Sequence, residues 1–168
     1  MSNFILAHVA RCGRVLRDSL PLWEHSMAYE QHYSNLFQAL EDAYGKLDTD
    51  TITAIIGFSA GGPVSMCKRK AALLFVTCEL SVYEEQRTST DGLKFELFSK
   101  DDFDEEQAHA IFTALGRLSM EAQLGNDHTV DLSQIAEART RVVSLHLFSK
   151  ATIEAAEYDL YQVRPAVQ

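Results

Sequence analysis

The chain has 168 residues, 46% apolar and 23% charged, which suits one domain with a sizeable core and argues against disorder. Its formal net charge of −9 argues against a general nucleic-acid binder, which normally presents a basic face. No apolar run reaches the roughly 18 residues of a membrane span, so no membrane role is expected.

Taken in chain order, Ile5, Val9, Cys12 and Leu16 recur at helical spacing, with Gly13 weakening the pattern and Pro21 interrupting it. Met1 to Arg17 lacks both a basic n-region and a small-residue cleavage site, so it reads as part of the fold. A second helix is expected over residues 26–44, where Tyr33, Leu36, Phe37, Leu40 and Tyr44 share a face and Gly45 is the natural stop. The period then changes. Ile52, Ala54, Ile56 and Phe58 alternate as in a strand, and a glycine-rich loop follows over residues 57–63. Residues 73–83 make the clearest strand pattern, with Leu74, Val76, Cys78, Leu80 and Val82 on one face. Asp91-Gly92 is a turn signal, and Leu93, Phe95 and Leu97 alternate after it, so residues 73–98 read as an antiparallel pair.

The best helix follows. Asp104 can cap it, Gln107 completes a capping-box-like pattern, and Ala108, Ile111, Phe112, Leu115, Leu118 and Ala122 form its buried stripe, with Gly125 ending it. Residues 125–131 read as a helix-exit turn that starts a strand. Residues 142–148 form another strand, and the last is expected at residues 158–163, although residues 153–161 also suit a helix. The sum is an α+β fold, a mostly antiparallel sheet with helices packed on one face, in a single domain over residues 1–168.

Several groupings could carry chemistry. Gly57-Phe58-Ser59-Ala60-Gly61 fits the nucleophile elbow of serine hydrolases, and Asp131 and His146 follow in hydrolase order. Against that triad, Gly62 and Pro63 stand where its helix should start, and His146 lies mid-strand, facing out beside Ser144. The alternative is a glycine-rich connection between two strands. His8 and Cys12 are a possible metal pair without a second pair, and His25 and His32 share a helix face that reads as solvated, so neither metal nor cofactor is expected. Lys68-Arg69-Lys70 reads as a solvated loop. Asp127, His128 and Asp131 form either a polar cluster or part of the turn. The cysteines, Cys12, Cys67 and Cys78, have no framework spacing, which fits a reducing, cytoplasmic setting.

Asp101, Asp102, Asp104, Glu105 and Glu106 crowd the start of the best helix. They either compensate the helix dipole or form a contact patch for a basic protein surface. Trp23, Tyr29 and Tyr83 are candidate aromatic anchors for such a contact.

Three segments give the chain a family likeness: Ile56-Gly57-Phe58-Ser59 after a strand, Cys78-Glu79-Leu80 before the long helix and the Gly125–Leu132 run, and a closing Tyr158-Asp159-Leu160-Tyr161-Gln162-Val163-Arg164-Pro165. Their order resembles the suppressor of fused domain of small bacterial proteins. The resemblance implies an α+β binding domain without catalytic residues, of a kind linked in bacteria to toxin-neutralising immunity proteins. The leading expectation is therefore a non-catalytic, cytoplasmic protein-binding domain that covers a basic surface of its partner. A small serine hydrolase and an assembly protein are the alternatives, with oligomeric state open.

Overall fold

A computed structural model describes residues 34–55, 64–69, 72–77, 80–134, 139–153 and 156–166. Seven strands follow in chain order: β1 (Asp48–Ile55), β2 (Val64–Arg69), β3 (Ala72–Val76), β4 (Lys94–Lys100), β5 (Thr129–Asp131), β6 (Val142–Ile153) and β7 (Ala156–Pro165). They form one sheet in the order β1-β2-β3-β4-β7-β6-β5. Every neighbouring pair is antiparallel except β4 with β7, which is parallel. Helix α1 covers residues 34–44, and helix α2 is Glu105–Glu121. The fold is thus α+β with a mostly antiparallel sheet.

Strand side chains alternate between faces, so a strand buried on both faces is apolar without interruption. Leu74-Phe75-Val76 in β3 shows this. Phe75 joins Phe95, Leu97, Leu145, Tyr161 and Val163 under Ala108, Ile111, Phe112 and Leu115 of α2. Leu74 and Val76 instead join Phe98, Tyr158 and Leu160 under Leu36 and Leu40 of α1. The two helices therefore cover opposite faces, where the sequence suggested one shared face. Helical periodicity marks which side of a helix is apolar but not which sheet face receives it. On the α1 side, Tyr44 stacks on Phe148 at 5.6 Å between centroids, and Phe148 meets Phe98 edge-on at 4.9 Å. Phe148 occupies the irregular position between Leu147 and Ser149, where the β6–β7 register shifts. Gly45, with φ 82°, ends α1 as expected, donating its N–H to Glu41 O.

The expected strand over residues 73–83 stops at Val76, and Leu80–Val82 turns as a 3-10 helix although the apolar alternation continues. Glu96 decides this. Its fully buried carboxylate accepts from Thr77 Oγ1 (2.5 Å), Leu80 N (3.2 Å), Ser81 N (2.8 Å) and Ser81 Oγ (2.7 Å), so the backbone donors that a strand would spend on a neighbour go to a side chain. The antiparallel partnership of β3 with β4 holds, Leu74 opposite Lys100 and Val76 opposite Phe98. Asp91-Gly92 does not join the two strands directly but turns inside the long connection between them, where Gly92 has φ 83°. Lys94 clasps that connection, donating to the carbonyls of Tyr83, Glu84 and Gln86, and its burial lowers its pKa.

Further along, α2 ends at Glu121, before Gly125. Gly125 answers a different need: a Cβ there would lie 2.1 Å from Thr90 Oγ1, and Thr90 N donates to Leu124 O. The turn-then-strand reading of residues 125–131 holds, with β5 pairing on β6. Residues 156–165 are strand, not helix. Strand β2 had no counterpart among the expected elements, and Lys68 and Arg69 belong to it rather than to a loop. The first expected helix, the 57–63 loop, Pro21, His8, Cys12, His25, His32, Trp23, Tyr29 and Ser59 lie outside the described residues.

Candidate functional site

The five acidic residues differ in their partners and exposure. Asp101 adopts φ 61° and is tied to the fold, its Oδ1 accepting from Leu73 N at 2.8 Å and its Oδ2 from Lys100 Nζ at 2.6 Å. The Lys100 hydrogen bond, then that from Leu73, hold its carboxyl below the ordinary range. Asp102 is half-buried, and desolvation pushes its carboxyl up while Arg164 pulls the other way. Asp104 caps α2, with Oδ1 accepting from Gln107 N at 2.9 Å. Its Oδ2 takes Arg139 Nη2 at 2.7 Å, and the same nitrogen lies 3.5 Å from Glu106 Oε2. Asp101, Asp104, Glu105 and Glu106 are exposed. Dipole compensation and surface presentation therefore coexist here, with Asp104 serving the helix and Glu105 and Glu106 facing solvent.

A second polar grouping lies on the α1 face of the sheet, beside the α1 contact. His146 opposes Gln162 of β7, and Ser144 opposes Arg164. Alternation puts Ser144 and His146 on one face, as the sequence suggested, and Ser144 Oγ lies 2.9 Å from His146 Nε2. His146 Nδ1 lies 3.4 Å from Asp127 Oδ1. Asp127, at φ 61°, reaches this place because the 126–128 turn is bonded to β6: its N–H donates to Leu145 O, and Asn126 Oδ1 accepts from Leu147 N. Arg164 donates to Gln162 Oε1 at 2.6 Å.

Asp131 is not the carboxylate beside His146. It opposes Val142, four positions along β6 from His146, roughly 13 Å at the strand rise, and it accepts from Ser133 N at 2.8 Å. That exposed hydrogen bond lowers its pKa. Ser59 lies outside the described residues; of Asp131 and His146, His146 alone belongs to this cluster. Residue spacing could have paired Ser144 with His146. Nothing in the sequence marks Asp127, because its placement depends on how the turn docks.

The closing strand carries a buried carboxylate on the other face. Asp159 Oδ2 accepts from Ser89 Oγ at 2.8 Å and Tyr161 O–H at 3.1 Å, while Lys150 Nζ lies 3.7 Å from Oδ1. Burial is the main cause that raises the Tyr161 phenol to about 12. These groups tie the 83–93 connection to β7. Among the described residues no group of three His, Cys, Asp or Glu side chains is placed to hold a metal ion, and no helix is long and apolar enough to cross a membrane. No protein-family model matches this chain, and no curated protein matches it.

Proposed function

We propose that this chain acts by binding another protein through the exposed acidic head of α2, covering a basic surface of that partner. The observation that carries the reading is Arg139. One guanidinium, itself 64% exposed, already lies within salt-bridge distance of both Asp104 and Glu106, so the head is shaped to accept an arginine. The net charge of −9 adds long-range attraction for a basic partner. A cytoplasmic immunity role, in which the partner is a toxin, extends this proposal on the strength of the resemblance to suppressor of fused domains. Tyr83 is half-buried, so the binding is assigned to charge rather than to that ring.

The test separates binding from folding. Asp101 and Asp104 hold local structure and are left in place, and only Glu105 and Glu106 are reversed to lysine. The tagged chain is used to capture partners from its source cell, and association with a captured partner is followed by stopped flow. A basic partner whose association slows about tenfold or more in the double reversal, and slows likewise in high salt for the native chain, supports the proposal. Unchanged association rate and affinity would remove the head of α2 from the interface.

A further inference from the structure

The atoms around His146 are connected in a specific sense. A carboxylate faces Nδ1, and a serine hydroxyl faces Nε2. In the tautomer protonated at Nδ1, on the side of Asp127, Nε2 accepts from the Ser144 hydroxyl, as a general base requires. The 3.4 Å carboxylate contact is longer than a tight hydrogen bond, a looseness common before substrate binds. Neither side chain is sealed in the core: His146 is 43% and Asp127 75% exposed, and Ser144 is half-buried. Arg164 stands opposite Ser144 on β7, placing a permanent cation on the same face.

We propose that Ser144 is a nucleophile for acyl transfer, with His146 as its base, Asp127 as a positioning residue and Arg164 selecting esters that carry a carboxylate. The site is distinct from the acidic head of α2 and does not depend on it. In the first half-reaction Nε2 takes the hydroxyl proton while Oγ bonds to the acyl carbon. The ester C–O bond then breaks, and Nε2 returns the proton to the departing alcohol. In the second, Nε2 takes a proton from water as its oxygen attacks the acyl carbon. The acyl–Oγ bond breaks and Oγ recovers the proton. The balance is ester plus water to acid plus alcohol.

The native chain is incubated with a fluorophosphonate probe, and the adduct is mapped by peptide mass spectrometry. The expected result is an adduct on Ser144. The His146→Gln variant should slow labelling about 100-fold or more. Asp127→Asn should lower the maximal labelling rate about tenfold without moving the probe concentration at half-saturation, which a merely structural loss would move. Native protein should cleave mono-4-nitrophenyl glutarate faster than 4-nitrophenyl acetate, and Arg164→Gln should abolish that preference. Absence of an adduct on native Ser144 overturns the proposal without recourse to any variant. Labelling confined to Ser59, or an unchanged rate in a folded His146→Gln protein, overturns it equally. An Arg164→Gln protein with undiminished preference removes the carboxylate selectivity.

Discussion

The carboxylates inside this protein and those at the head of α2 are the same chemical groups put to opposite uses. Glu96 and Asp159 are fully buried on β4 and β7, and each gathers donors from the connection between β3 and β4. Glu105 and Glu106 stand in solvent, where a second molecule can reach them. Between the two lies the pair Asp101 and Asp102, adjacent in sequence yet shifted in opposite directions. Net charge therefore measures how many acids a chain carries and says nothing of which are already committed. A buried carboxylate is stable only where hydrogen bonds replace its lost water, so its value is local and structural. An exposed one keeps its water and its long-range field.

The sharpest way to break this contrast is at Glu96. Glu96→Ala leaves Thr77, Leu80 and Ser81 donors without their acceptor and should cost about 3 kcal/mol or more, read from urea denaturation. Next comes Asp159→Ala, which removes the acceptor shared by the Ser89 and Tyr161 hydroxyls, at about 2 kcal/mol. A loss under about 0.5 kcal/mol at both sites would mean that the buried acids do not organise the connection.

The effect at Asp101 is smaller and depends on pH. Its carboxyl ionises below the ordinary 3.8 when folded, so its stabilisation is complete above that value and disappears as pH falls through the folded value. Asp101→Asn, chosen because asparagine tolerates positive φ, should cost about 0.5–1 kcal/mol near pH 6, and its stability curve should merge with that of the native chain in strong acid. Asp102 runs the other way. Burial raises its folded pKa, so stability falls as pH rises from the unfolded value of 3.8 through the folded one. Asp102→Asn should therefore gain a few tenths of a kcal/mol near neutrality, a gain that vanishes below the unfolded value. Parallel pH curves for the two variants would refute the division drawn between these neighbours. The Glu105 and Glu106 reversal places two cations at the positive end of α2 and should cost about 1 kcal/mol without unfolding the chain, while altering association.

Local chemistry was legible where neighbours in sequence supply it. Asp104 capping α2 through Gln107 N, the buried face of α2, Gly45 ending α1 and the alternation that puts Ser144 beside His146 all follow from short-range rules. The class of fold follows too, because alternating and helical periods are written residue by residue. The readings that changed involve partners distant in the chain. Apolar alternation through Val82 implied one strand, and a carboxylate 15 positions from Ser81 and 16 from Leu80 turned part of it into a 3-10 helix. Asp131 looked like the acid for His146 by its order in the chain, but the docking of the 126–128 turn on β6 supplied Asp127 instead. Residue order alone sets which segments alternate, which cap and which bury a face, since those depend on side chains within a few residues. Which face each helix covers, which carboxylates are consumed inside and which acid meets His146 emerge only in the folded chain, because long-range hydrogen bonds and sheet register bring together groups that no local pattern connects.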